Sequence, residues 1–355
     1  MSGKTWLYLF ALCILIISLQ AFAYDGKWEK IDVPAYRIGT IAEITIGYNP
    51  SDQRIILAAS ASDSGWLWMS TNDGQSWIRN HYVQGERFHT RVVIQEDDFD
   101  EYGAGWTLVA SQSGNTDQYA GPYRTVNGAA NWVLKADDAD LDNFKMLYAL
   151  AADQSSASLQ AAFIGGEGNS QNSYKRLFRT TDGGTNWDRK ENGLPANAAG
   201  TVYDIAICHD FPNYMYCAYE GNSNGPAVYR SMDGGESWDG LNITHETRTA
   251  QSARAIAVHP THNEIVAVIE NEPISGQVWV STNATDSDPY WIDKGCLPTP
   301  EINTNSMVFS HNYWEPNPDP DRDVRFQAFI AYSGTELDEQ RSEKLYPWAR
   351  EFEYR

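Results

Sequence analysis

The 355-residue chain carries 26 Lys and Arg against 47 Asp and Glu, a formal net charge of −21. A field of that sign repels phosphate backbones, which excludes nucleic acid as a partner, and favours metal cations, basic peptides or neutral glycans. The length admits two or three domains, and only an internal repeat reduces that to one.

The chain opens on Lys4, an apolar run over residues 7–19 and the small-x-small triplet Ala21-Phe22-Ala23. This predicts an export signal over residues 1–23 and a mature chain over 24–355. Thirteen apolar residues fall short of the roughly 20 that a bilayer core requires, and no later segment is longer. The mature protein is therefore expected to be secreted, periplasmic or at the cell surface, with no membrane span.

Next comes Trp28-Glu29-Lys30-Ile31, which reads as an outermost strand lacking its preceding turn. The full pattern then appears five times, each a short strand, a Ser/Thr-x-Asp/Asn turn and a tryptophan: Ser70 to Trp77, Thr125 to Trp132, Thr180 to Trp187, Ser231 to Trp238 and Ser281 to Trp291. The leading hydroxyl residues are 55, 55, 51 and 50 positions apart. Ahead of each turn lie two more strand signals. The inner ones are residues 41–48, 90–95, 145–152, 202–208, 254–259 and 306–311, and the second ones 54–59, 106–111, 159–164, 214–219, 264–269 and 326–332. A four-stranded unit of about 50 residues, broken by Gly, Asn, Asp and Pro, is a propeller blade. The expected fold is thus an all-β propeller forming one domain. Six inner strands give six blades, the last closed by residues 28–32 so that no long edge is left open. Seven blades stay open as an alternative, because the last unit has no such turn.

Three cysteines remain after the signal, an odd number, so one is unpaired. A two-residue hairpin centred on Pro212-Asn213 puts Cys208 opposite Cys217, within reach of a disulfide. Two reduced core thiols are the alternative.

The turns Thr180-Thr181-Asp182-Gly183-Gly184-Thr185-Asn186-Trp187 and Ser231-Met232-Asp233-Gly234-Gly235-Glu236-Ser237-Trp238 resemble the Asp-box, or BNR repeat, Ser/Thr-x-Asp-x-Gly-x-x-Trp. The short acid or amide (Asn72, Asn127, Asp182, Asp233, Asn283) accepts hydrogen bonds from its own turn, Gly takes positive φ, and Trp77, Trp132, Trp187 and Trp238 cover the hairpin, so these are fold residues. Ala129 replaces one glycine. Propellers with this repeat include sortilin-type receptors, sialidases, xyloglucan-cleaving endoglucanases and photosystem assembly factors, which share a fold but not one activity. A sialidase would need an arginine cluster, and neither Tyr36-Arg37-Ile38-Gly39 nor Arg87 and Arg254 is singled out as one by spacing.

A site is expected where the second strands end. The loops there carry acids at nearly one phase, Asp63, Asp117, Glu167, Glu220, Glu270 and Glu336, beside Trp66, Tyr119 and Tyr174, which can stack on sugars or basic side chains. The leading expectation is a non-catalytic binding module for an extracellular protein, peptide or polysaccharide. The alternative is a xyloglucanase-like or sialidase-like glycoside hydrolase drawing its carboxylate pair from Asp63, Glu167 and Glu220. No cofactor is expected. Calcium is considered only at Asp319-Pro320-Asp321-Arg322-Asp323, and His259-Pro260-Thr261-His262 lacks a third metal ligand.

Overall fold

The computed structural model describes residues 41–48, 51, 53–60, 65–72, 74–83, 87–95, 103–111, 120–135, 144–156, 159–168, 176–195, 200–221, 225–245, 248–272, 276–296, 302–309, 326–334 and 350–352. The expected signal over 1–23 and the closing strand over 28–32 lie outside them.

Every regular element among the described residues is a strand, and the strands fall into six successive antiparallel units. Unit one is β1 (Ile41–Tyr48), β2 (Arg54–Ser60), β3 (Trp66–Ser70) and β4 (Ile78–Tyr82). Unit two is β5 (Arg87–Ile94), β6 (Ala104–Ser111), β7 (Gly121–Val126) and β8 (Val133–Leu134). Unit three is β9 (Phe144–Ala152), β10 (Ala162–Gly168), β11 (Leu177–Thr180) and β12 (Asp188–Arg189). Unit four is β13 (Thr201–Ile207), β14 (Met215–Glu220), β15 (Val228–Ser231) and β16 (Asp239–Leu241). A small ribbon, β17 (Thr244–His245) and β18 (Arg248–Thr249), precedes unit five, which is β19 (Ser252–His259), β20 (His262–Glu272), β21 (Gln277–Ser281) and β22 (Ile292–Cys296). Unit six contributes β23 (Ile302–Phe309), β24 (Phe326–Gly334) and β25 (Arg350–Phe352). The inner strands β1, β5, β9, β13, β19 and β23 are neighbours in that order, and β23 also approaches β1.

The second strands of units one to five are apolar on both faces, because the units stack face to face. Leu57 and Ile55 meet Val92 and Ile94 of unit two, Trp106 and Leu108 meet Phe144 and Ile164, and Phe163 meets Val202 and Tyr219. Tyr216 and Ala218 meet Ile256 and Val268, and Ile269 meets Met307. The second strand expected at residues 159–164 starts at Ala162 instead. Leu159 is a turn residue, with φ of 46° and a carbonyl that accepts the Trp106 indole N–H at 2.8 Å.

The recurrent turn is held by its own short side chain. Asp182 Oδ1 accepts the Thr185 and Asn186 N–H groups at 2.9 Å, Thr180 Oγ1 accepts the Gly184 N–H at 2.9 Å, and Asp233 Oδ1 accepts the Ser237 N–H at 2.9 Å. Asn72, Asn127 and Asn283 accept the Ser76, Asn131 and Tyr290 N–H groups in the same way. The tryptophan does more than cover its hairpin. Trp187 donates to the Lys135 carbonyl at 2.8 Å and Trp238 to the Lys190 carbonyl at 3.0 Å, so each ties its unit to the outermost strand of the unit before. Asp182→Ala is expected to lower unfolding free energy by about 1–2 kcal/mol in urea titration, because several turn N–H groups lose their acceptor at once.

The expected Cys208–Cys217 pairing is corrected. The turn Phe211–Tyr214 closes as expected, but Cys208 N–H bonds the Tyr214 carbonyl and Cys217 faces Ile205. That register puts the two thiols on opposite faces of unit four, Cys208 in the core shared with unit five and Cys217 in the core shared with unit three. Both are free thiols, and burial pushes the Cys208 thiol up to about 11 and the Cys217 thiol higher still.

Candidate functional site

Each inner strand carries an extra residue at the same register: Ala42, Thr90, Tyr148, Tyr203, Arg254 and Asn305. A bulge bends its strand and redirects a side chain out of the ladder. In units three to five the redirected side chains meet. Tyr148 and Tyr203 lie 5.0 Å apart, and the Arg254 guanidinium sits over the Tyr203 ring at 3.9 Å. Glu220 completes the group, hydrogen-bonded to the Tyr203 phenol and 4.0 Å from Arg254. Burial, then the Glu220 carboxylate, pushes the Tyr203 phenol above the ordinary range although Arg254 opposes this.

The acids are ordered by the ladder. Glu167 is opposite Thr201, Thr201 opposite Glu220, Glu220 opposite Ser252 and Ser252 opposite Glu272. Residues directly opposite share a sheet face, so Glu167 and Glu220 point the same way with one strand between them, about 10 Å apart at the backbone.

Below this rim, one residue past the bulges, lies a second polar tier. Glu43 Oε2 accepts the Val92 N–H of unit two at 2.6 Å, and Asp204 Oδ2 accepts the Ile256 N–H of unit five at 3.0 Å. Arg91, buried, donates to the Tyr203 carbonyl of unit four at 3.3 Å. Burial pushes the Glu43 carboxyl up to about 7 and that of Asp204 up to about 6, against the pull of Arg91.

Of the site residues expected from sequence, Glu167 and Glu220 lie on the rim together. Asp63, Asp117, Tyr119, Tyr174 and Glu336 fall outside the described residues, as do the acids at 319–323 considered for calcium. Glu270 is corrected. It sits one register position short of Glu220, faces the other way, is 1% exposed and accepts the Trp279 indole N–H at 2.7 Å, so it belongs to the core. Trp66 stands on the outer half of unit one, half-buried between Tyr82 at 4.7 Å and the Arg79 guanidinium at 5.0 Å. His259 and His262 contact each other edge to face, and no group of three metal-ligating side chains occurs among the described residues. No helix among them is long and apolar enough to cross a membrane.

Tyr148, Tyr203, Glu43, Arg91 and Asp204 were not expected. Their signal is a charge or tyrosine interrupting an inner strand at constant phase, as in IAEITIGY, FHTRVVI and TVYDIAI.

No protein-family model matches the sequence, and no curated protein does. Solved structures do match. An ancestral GH74 enzyme superposes with a TM-score of 0.55 at 13% identity, over 82% of this chain and 35% of that one. The GH74 xyloglucanase of Xanthomonas campestris gives 0.52 at 13% identity, over 82% and 44%, and the GH74 enzyme of Niastella koreensis 0.50 at 15%, over 82% and 45%. These are β-propeller proteins. The chain has the β-propeller fold. It spans less than half the length of these three neighbours, and at such identity the likeness carries fold alone. The bulged Tyr148, Tyr203 and Arg254 gather along the inner strands, and Glu43, Arg91 and Asp204 form the tier one residue further along them.

Proposed function

We propose that this propeller is a secreted, non-catalytic binding module of the Asp-box type, with six blades closed by residues 28–32. It takes an extracellular protein, peptide or polysaccharide ligand at the channel mouth. The observation that carries this is the Tyr148, Tyr203 and Arg254 stack with Glu220. It combines aromatic faces, a guanidinium fixed in orientation and a carboxylate, held on rigid strands and partly open to solvent, which suits recognition. Catalysis is less well supported. Tyr203 is held as a phenol, and the two carboxyls raised toward neutrality, Glu43 and Asp204, are occupied by backbone N–H groups of neighbouring blades.

A glycoside hydrolase is the second reading, favoured by Glu167 and Glu220 on one face; from backbones about 10 Å apart, their side chains can bring the carboxyl groups into the roughly 5–10 Å separation that glycoside hydrolysis uses. Glycan and peptide arrays with the chain from Tyr24 onward test the first. Arg254→Ala and Tyr203→Ala are expected to weaken the bound ligand roughly tenfold or more while the fold is retained. Turnover of aryl glycosides or xyloglucan that is lost in Glu220→Gln would replace the binding reading with the hydrolase.

A further inference from the structure

The channel tier contains more charge than its structural role requires. Glu43 and Asp204 each latch a neighbouring blade through a backbone N–H, while Arg91 reaches across from unit two to unit four. Arg91 is 8% exposed, spends one terminal nitrogen on the Thr90 carbonyl at 3.0 Å and the other on the Tyr203 carbonyl, and its Nε has no acceptor among the described residues. Two partly buried acids thus act on one base whose donors go mainly to carbonyl groups. Such a group has two arrangements available, one with the guanidinium on the carbonyls and one with it on the carboxylates.

We propose that Glu43, Arg91 and Asp204 form a proton-responsive strut that sets the position of Tyr203 and hence of the ligand rim. While one carboxyl keeps its proton, a single carboxylate balances Arg91, and the guanidinium holds the Tyr203 carbonyl. When both ionise, an uncompensated negative charge is left in the channel. Arg91 then turns its donors to the carboxylates and releases the carbonyl. Tyr203 is the bulged residue, so its backbone is bound less firmly by the ladder and moves first.

Burial places the Glu43 and Asp204 carboxyls near 7 and 6, so the exchange falls close to neutral pH. Among the described residues, the groups that act on them from the packed strands are few. The charge of Arg91 on β5 acts on both, Asp204 on β13 raises Glu43 on β1, and burial pushes the Cys217 thiol on β14 up, so that it stays protonated. Arg254 on β19 and Tyr148 on β9 face Tyr203 instead. That the strut regulates binding rests on the rim being the ligand site; the proton-linked movement itself does not.

Two measurements without ligand test it. Carboxyl carbon NMR of the wild-type protein should show two side-chain carboxyls titrating between about pH 5 and 8, one absent from Glu43→Gln and the other from Asp204→Asn. Amide exchange of residues 201–207, corrected for its intrinsic pH dependence, should quicken roughly threefold or more from about pH 5 to 8 in the wild-type protein and stay level in the double variant. Level exchange in the wild-type protein, the same quickening in the double variant, or no carboxyl titrating above about pH 5.5 would each overturn the strut. If the double variant does not fold, the wild-type titration and exchange decide. Loss of ligand binding on the arrays bears on the rim alone and leaves these results standing.

Discussion

At pH 8 Glu43→Gln should unfold at a higher temperature than the wild-type protein, by the equivalent of roughly 2–3 kcal/mol, and at about pH 4.5 the two should coincide. The sign follows from the direction of the shift. Burial raises the folded-state carboxyl from its ordinary 4.5 to about 7. Its stabilising contribution is therefore complete below the unfolded value and is lost as pH rises through the folded one. Glutamine keeps an oxygen for the Val92 N–H and carries no charge, so it escapes the loss. Asp204→Asn should behave alike with its transition lower, near 6. On the acid side two histidines work the other way. Burial lowers His81 to about 4 and His89 to about 3, so their contribution is present above the ordinary 6.5 and is lost as pH falls. The wild-type protein should show a stability plateau between about pH 4.5 and 6, by thermal unfolding across a pH series. A Glu43→Gln protein no more stable than wild type at pH 8 would show that the carboxylate is fully compensated by Arg91.

Arg176→Ala should cost about 3–5 kcal/mol in urea unfolding, the largest effect expected of any single substitution considered. Arg176 is 1% exposed and donates to the Tyr219 hydroxyl and to the Pro195 carbonyl at 2.6 Å, with Glu191 3.7 Å away. Its guanidinium also lies 5.6 Å over the Tyr219 ring. Removing it leaves Glu191, 6% exposed, with Arg189 at 2.6 Å as its remaining ion-pair partner, and leaves a buried hydroxyl and a cavity. Arg176→Lys restores the charge but not the fork that serves two acceptors at once, and should recover less than half of the loss. A cost below about 1 kcal/mol for the alanine variant would mean that water replaces the guanidinium.

The repeat made the fold legible. A hydroxyl residue, a short acid or amide and a tryptophan at fixed offsets encode local hydrogen bonds, and local chemistry can be read from a single sequence. Glu167 and Glu220 were legible for a similar reason, since each follows closely on a second-strand signal. The rim and the channel were not, because they depend on register. One extra residue at Tyr203 decides that it turns toward the mouth, and one position of slip sends Glu270 into the core against Trp279. Cys208 and Cys217 fail in the same way, since a hairpin loop longer than two residues moves the thiols to opposite faces. Arg91 and Tyr203 are 112 residues apart, a distance over which no spacing rule operates.

The shared bulge separates two kinds of information in one strand. Residues before and after it, such as Val202 and Ile205, are buried between blades and constrained by shape, while the inserted Tyr148, Tyr203 and Arg254 leave the ladder and meet one another. The three inserted positions that stay partly open to solvent, Tyr148, Tyr203 and Arg254, therefore behave as letters in a word that can be respelled one at a time. A library confined to those three positions would explore new recognition specificities on an unchanged scaffold.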